Sequence, residues 1–260
     1  MTGVALWLLL IGVVDLARGR RDAAQPRVLA ALAVTMVAVS LLLALSLRPT
    51  GVGWTAWLLA ALAGAGWVLG SGVSAARFRA AAPAWLPSAA SAPASAAVAY
   101  VSLGLGLGSL LLAGPAAGTA PGLDAVLAGS GLASIPPQRT LLLAALLVVQ
   151  VSTANVIVRM LLDLVGVPAS DNEKQLRGGR VLGPMERLVV LGLGTAGSLI
   201  GAAFVVAAKA ILRFPELRVP RAGDPGYGGP SDVTEYFLVG SFASWLVALG
   251  SVGLLFLVPV

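Results

Sequence analysis

The chain has 260 residues, of which 58% are hydrophobic and 11% are charged. Ordinary soluble domains carry about 25% charged residues, so this chain has too little polar surface to cover a water-soluble globule. It contains no Cys and no His, which excludes disulfides, thiol nucleophiles, imidazole bases and the usual zinc ligands.

The apolar residues form long runs, and runs of about 18 or more are typical of membrane-spanning helices. The sequence therefore predicts an all-α, polytopic transmembrane helix bundle that forms a single integral membrane domain over residues 1–260. About seven helices are expected, or six if the short first run does not span. Their expected ranges are about 2–17, 28–47, 54–76, 96–114, 140–166, 188–212 and 236–258.

The first run ends at Asp15, just before the basic residues Arg18, Arg20 and Arg21. No basic region precedes this run, which favours a retained helix over a cleaved signal peptide. Charges near the hydrocarbon are costly and usually paired, so Asp15 is expected to pair with one of these arginines at the membrane interface.

Glycines in runs three and four predict faces on which neighbouring helices approach closely. Run three has Gly66 and Gly70, and run four has Gly104, Gly106 and Gly108.

Run five carries a polar stripe toward its end, at Ser152, Asn155, Arg159 and Asp163. Arg159 and Asp163 are four residues apart and can pair along one helix face. The sequence favours a structural pair or an interface anchor here, with a substrate-facing site as the alternative.

Run six contains Gly192, Gly194 and Gly197 in the G-x-G-x-x-G spacing of many dinucleotide sites. Such a site needs a strand before the glycines and a helix after them. Because a strand in lipid would leave its backbone groups unpaired, the run is expected to be one helix. Gly194, Gly197, Ser198 and Gly201 then lie on one side of this helix and form a packing face rather than a phosphate cradle.

The charges at the two ends of run six are expected to lie at opposite membrane surfaces. Arg187 and Lys209 are 22 residues apart, or about 33 Å on one helix. Lys209 is therefore expected to meet Glu235, and neither residue is expected to meet Glu186.

The distribution of basic residues predicts the orientation. Of the 17 Lys and Arg residues, 11 fall in loops one, three and five and 6 in the alternate loops. The N-terminus is therefore expected outside and the C-terminus in the cytoplasm. The preference for Arg over Lys, together with much Ala, Gly, Leu and Val, suggests a bacterial source and so a bacterial plasma membrane.

Three stretches in the last third, GGRVLGPMERLVV, AAKAILRFPEL and EYFLVGSFASWLVA, resemble a family of bacterial membrane proteins grouped as the domain of unknown function 3307 family. The resemblance covers about residues 172–258 and departs from the family in the N-terminal part, since this chain has no histidine. It implies a membrane protein without an assigned reaction. It also singles out ten positions as a shared site or fold requirement: Gly179, Arg180, Gly183, Glu186, Arg187, Lys209, Arg213, Phe214, Glu235 and Tyr236.

The sequence favours a noncatalytic membrane component: a scaffold, an accessory subunit, or a carrier of lipids or small ligands. The alternatives are a small transporter and an interfacial enzyme acting on a phosphate-bearing lipid. In the enzyme, Arg177, Arg180 and Arg187 would bind phosphate and Glu186 or Asp171 would be the base. The expected partners are membrane lipids and either partner helices or a homo-oligomer. No nucleic acid, cofactor or metal is expected.

Overall fold

The apolar runs fold as helices in the computed structural model, which describes residues 1–18, 25–77, 92–114, 135–165, 179–217 and 232–258. These ranges contain nine helices and no strand, which confirms the all-α prediction. The helices are α1 (Thr2–Arg18), α2 (Pro26–Leu47), α3 (Val52–Arg77), α4 (Ala92–Ala113), α5 (Pro137–Val151), α6 (Thr153–Val165), α7 (Gly179–Thr195), α8 (Leu199–Leu217) and α9 (Asp232–Phe256).

Several of these helices are compatible with insertion into a membrane. In the part of the chain that the structure describes, α2, α3, α4 and α9 are long and apolar enough to cross a bilayer. The α5–α6 pair makes a fifth crossing if the two helices count as one span. The hydrocarbon layer is about 30 Å thick and needs about 20 apolar residues, a length that these helices reach.

Run five is bent, so the prediction of one continuous helix is wrong there. The axis turns by 40° between α5 and α6, at Ser152. The Ser152 hydroxyl donates to the Val148 carbonyl oxygen at 2.7 Å, and Asn155 Nδ2 donates to the Val151 carbonyl oxygen at 2.7 Å. Two polar side chains therefore compete with backbone N–H groups for carbonyl oxygens, a known cause of helix bending.

The chain divides into two compact units, residues 1–156 with 255–260, and residues 157–254. In the first unit, α1 packs against α2, α3, α4 and α5 and is buried along most of its length. The Trp7 indole donates to the Ala60 carbonyl oxygen at 2.8 Å and lies against Gly106, where a methyl group would collide with it. Trp7 thus joins α1 to α3 and α4 at the centre of this unit.

Glycines in the first unit permit the close helix contacts that the sequence predicts. An added methyl group at Gly66 would collide with Ser102, and one at Gly70 would lie 2.8 Å from the backbone of α4. The prediction for run four holds only in part, because Gly104 and Gly108 have no neighbour within 4 Å.

In the second unit, run six is interrupted at residues 196–198, so its prediction as one helix is also wrong. Gly197 has φ 77°. Its N–H donates to the Gly194 carbonyl oxygen, and the Ser198 N–H donates to the Leu193 carbonyl oxygen at 2.8 Å. This pair of bonds is the Schellman motif, which ends a helix at a left-handed glycine. Ser198 then accepts a hydrogen bond from the Gly201 N–H at 3.3 Å and so caps the start of α8.

After this turn, α8 packs back along α7 as an antiparallel helical hairpin. Val190 and Ala202 belong to one buried cluster with Ala248, and a methyl group at Gly201 would lie 3.5 Å from Leu193. On one straight helix, Val190 and Ala202 would be about 18 Å apart. Gly197 is therefore the tip of a hairpin rather than part of a packing face.

Candidate functional site

Contacts within the second unit show how α9 lies against the α7–α8 hairpin. Arg187 Nη1 donates to Ser244 Oγ at 3.0 Å, and Gly194 packs so closely on Val252 that a methyl group there would overlap it. Increasing residue numbers on α7 thus match increasing numbers on α9, so these two helices run parallel. The expected close approach of a neighbouring helix at Gly194 is confirmed.

Because α8 folds back along α7, the end of α8 lies at the level of the start of α7. Lys209 follows the tip of the hairpin by 12 residues, and Arg187 precedes it by 10, so their backbones differ in depth by about 3 Å. The predicted separation of about 33 Å assumed one helix and is wrong. The side chain of Lys209 lies outside the described part of the structure, so its predicted contact with Glu235 stays a prediction.

The same register places the backbones of all ten positions singled out by the family resemblance toward one end of the second unit. They lie at the start of α7, on the second half of α8 and at the start of α9. The side chains of seven of them fall outside the described residues, namely Gly179, Arg180, Lys209, Arg213, Phe214, Glu235 and Tyr236. The positions with described surroundings are Gly183, Glu186 and Arg187. We call this region the open end of the hairpin.

Arg187 is the buried charge of the open end. It is only 2% exposed, and its guanidinium bonds Ser244, which lies seven residues into the apolar stretch Phe237–Phe256. At 1.5 Å per residue, Ser244 is about 10 Å inside that stretch. Glu186, the preceding residue, is half-buried and contributes an attractive charge. Arg187 is thus held within the helices instead of extending to the surface, as long basic side chains usually do.

A second buried arginine lies in the first unit. Arg18 Nη2 bonds Asp15 Oδ1 at 2.7 Å, and its Nη1 donates to the Val68 carbonyl oxygen at 3.1 Å and to Ser71 Oγ at 2.9 Å. The other carboxylate oxygen, Oδ2, accepts a hydrogen bond from Trp67 Nε1 at 3.0 Å. The predicted pairing of Asp15 with an arginine is confirmed for Arg18. Arg20 and Arg21 lie outside the described residues.

This pair lies deeper than the predicted interface. Val68 precedes Ala76, the last residue of the apolar stretch of α3, by eight residues, or about 12 Å. The Asp15 side chain is 0% exposed and that of Arg18 7%. Such buried ionisable groups in membrane helices are rare and commonly functional, so the pair is a second candidate site.

The four residues of the polar stripe in run five differ in how far they are exposed. Ser152 is buried at the bend, Asn155 and Asp163 are half-buried, and Arg159 is exposed. The exposure of Arg159 is compatible with the interface-anchor interpretation, and the role of the stripe stays a prediction. Arg177 and Asp171, named for the enzyme alternative, lie outside the described residues.

Sequence reasoning did not find the neutral groups around the buried charges Asp15, Arg18 and Arg187. Trp67, Ser71, Thr153 and Ser244 sit on helices remote in sequence from the charges they contact or adjoin. A weak signal was present, since each is a polar side chain inside an apolar run. Among the residues with described positions, no three His, Cys, Asp or Glu side chains lie close enough to hold a metal ion.

Comparison of the chain with protein-family models, with curated proteins and with solved structures gave no match.

Proposed function

We propose that this chain is a noncatalytic membrane component that binds the phosphate-bearing headgroup of an anionic lipid at the open end of the hairpin. The observation that carries the proposal is the hydrogen bond of the buried Arg187 guanidinium to Ser244, about 10 Å inside an apolar helix. Arginine is the residue best suited to phosphate, because its planar donors match the oxygen geometry.

The backbone register supports a cationic environment around Arg187. Arg180 on α7 and both Lys209 and Arg213 on α8 start from the same end of the second unit. Four basic positions at one end of an apolar hairpin attract the anionic headgroup of a lipid, and the acyl chains of that lipid can lie along exposed apolar side chains. Leu182 and Met185 on the first half of α7 are exposed in this way.

The test is lipid binding in nanodiscs of phosphatidylcholine, with and without phosphatidylglycerol, followed by native mass spectrometry. We expect retained phosphatidylglycerol on the wild type and about tenfold or greater loss on Arg187→Gln, since a hydrogen bond to a charged group is worth about 1.5–3 kcal/mol. Arg180→Gln provides a variant away from the buried position. Arg139→Gln, in the first turn of α5, is the control that removes an equal charge elsewhere and should retain the lipid.

The same experiment separates the sources of phosphate. Displacement of the lipid by millimolar inorganic phosphate would indicate a site for free phosphate instead of a headgroup. Equal phosphatidylglycerol retention by the wild type, Arg187→Gln and Arg180→Gln would contradict the proposal. Chemical conversion of the bound lipid, abolished by Glu186→Gln while binding persists, would favour the interfacial enzyme.

The bend at Ser152 favours a small transporter as the second candidate function. Interrupted helices of this kind line substrate and ion sites in many transporters, where broken helix ends supply backbone groups at membrane depth. Accumulation of a labelled solute in proteoliposomes, lost when the α5–α6 bend is disturbed by Ser152→Leu, would support that function. Unchanged accumulation in Ser152→Leu would count against a role for the bend.

A further inference from the structure

The turn between α7 and α8 leaves several backbone polar groups without a hydrogen bond. We call residues 196–200 the hairpin tip. The N–H groups of its first three residues donate to carbonyl oxygens of α7, and the N–H of Gly201 donates to Ser198 Oγ. Within the described residues, no hydrogen bond is made by the N–H groups of Leu199 and Ile200 or by the carbonyl groups of Ala196 and Gly197. These four groups need partners that the described chain does not supply.

The described residues also leave the hairpin tip uncovered. All five of its residues are exposed, whereas Ser152 and Thr153, at the break in run five, are buried. Irregular backbone at membrane depth is tolerated where it is buried in protein or lines a water-filled cavity. Lipid tails can neither donate nor accept a hydrogen bond, so contact with them would leave all four groups unsatisfied. Water can do both, and it is the partner that fits an uncovered turn.

The register of α7 on α9 shows from which side water reaches the tip. Gly194 packs on Val252, which follows Phe237 by 15 residues and precedes Phe256 by four. Gly194 is therefore about 22 Å from one end of the apolar stretch of α9 and about 6 Å from the other. The hairpin tip begins two residues after Gly194 and lies closer still to the Phe256 end. The open end of the hairpin, with Arg187, lies toward the Phe237 end.

We propose that water enters the membrane from the side opposite the open end and hydrates the hairpin tip. Arg187 precedes Gly197 by ten residues, so the guanidinium level and the hydrated tip are about 15 Å apart along α7. A full hydrocarbon layer is about 30 Å thick. The second unit thus reduces the apolar barrier along the hairpin to about half of that thickness. The water site does not depend on the lipid site proposed for the open end.

The side chains around the tip agree with a boundary between water and lipid. Ala196, Gly197 and Ser198 are small or polar, and they leave the backbone groups accessible. The apolar side chains of Ile200 and Phe204 follow directly on α8 and are 75% and 70% exposed. Hydration is therefore confined to the turn, and the exposed side chains of α8 beyond it face lipid.

The test uses single cysteines in the full chain, which has none of its own. Ala196→Cys places a thiol at the tip, and Ala203→Cys places one at an exposed position of α8 about 9 Å further along the helix. A sulfonated methanethiosulfonate, which does not cross lipid, is added to intact cells or to inside-out vesicles. We expect Ala196→Cys to react about a hundredfold or more faster than Ala203→Cys, because a thiol in hydrocarbon does not ionise to the reactive thiolate.

A third cysteine identifies the side from which the reagent arrives. Leu182→Cys lies at an exposed position of α7 near the open end. We expect Leu182→Cys to react in one of the two preparations and Ala196→Cys in the other. Equally slow reaction of Ala196→Cys and Ala203→Cys, or reaction of Ala196→Cys from the same side as Leu182→Cys, would overturn the proposal.

Spin labels on Ala196→Cys and Ala203→Cys measure hydration independently of thiol reactivity. In liposomes suspended in deuterated water, the deuterium modulation of the spin echo should be several times deeper for the label at the tip. The same modulation depth at both positions would contradict hydration of the tip. Dipolar broadening in the singly labelled Ala196→Cys chain would show that a second copy covers the tip in place of water, and this result would also overturn the proposal.

Discussion

A distance measured between two labelled positions in run six distinguishes the hairpin from a single continuous helix. The chain has no cysteine, so Val189→Cys and Ala207→Cys introduce two label sites without background. Both positions are exposed, on α7 and α8 respectively. On one continuous helix, 18 residues would separate their Cα atoms by about 27 Å. In the hairpin, the two positions differ in depth by about 3 Å, and the axes of α7 and α8 lie about 8–10 Å apart. The two Cα atoms are therefore separated by about 10 Å.

Spin labels on these two cysteines report the difference directly in nanodiscs. We expect strong dipolar broadening of the continuous-wave spectrum, as for labels roughly 10 Å apart. The control pair Leu58→Cys and Ala75→Cys lies on exposed positions of the unbroken α3, about 26 Å apart, and should show no such broadening. A pulsed-dipolar distance near 27 Å for the pair in run six would refute the hairpin and every depth argument built on it.

Five further substitutions, in two matched glycine pairs and one serine variant, test the packing with chemical or thermal unfolding in detergent. Gly70→Ala should destabilise by about 1–3 kcal/mol, because the new methyl group meets the backbone of α4, whereas Gly104→Ala should be neutral or stabilising by up to about 1 kcal/mol. Gly197→Ala should cost about 1–2 kcal/mol for its left-handed backbone, and Gly192→Ala, in a helix with open space, should cost nothing. Ser244→Ala should cost about 1–3 kcal/mol by removing an acceptor from the buried guanidinium. Equal stability within either glycine pair, or of Ser244→Ala and the wild type, would contradict the corresponding contact.

The helical class and several local contacts could be predicted because they depend on periodicities shorter than two helical turns. Asp15 and Arg18 are three residues apart, a spacing that places them on one helix face and allows the observed pair. Gly66 and Gly70 likewise mark a face by their spacing alone, and α4 packs there. The depth of the ion pair could not be predicted in this way, because it is set by the position of α3 beside α1.

The turn at Gly197 was missed although its local signal was present. A glycine followed by serine is the combination that ends one helix and caps the next. A run of 25 apolar residues also matches one membrane crossing, and that length argument outweighed the local pattern. A left-handed glycine with its two hydrogen bonds ends a helix regardless of how apolar the flanking residues are.

The hairpin also changes the expected topology of the whole chain. If each of the other six runs crosses once, run six enters the membrane and returns to the same side, because each arm of its hairpin is only about 15–18 Å long and a crossing needs about 30 Å. The connection before α9 then lies on the side of the connection before α7. By sequence position, every Lys and Arg except Arg48 and Arg139 then falls on one side of the membrane, compared with 11 of 17 under the seven-helix prediction. This asymmetry agrees much better with the positive-inside rule.

We therefore expect the C-terminus outside, on the same side as the N-terminus, and a reporter fused after Val260 should be active only in the extracytoplasmic compartment. A cytoplasmic C-terminal reporter would mean that run six crosses once or that another run fails to cross, which the Val189 and Ala207 labels would distinguish.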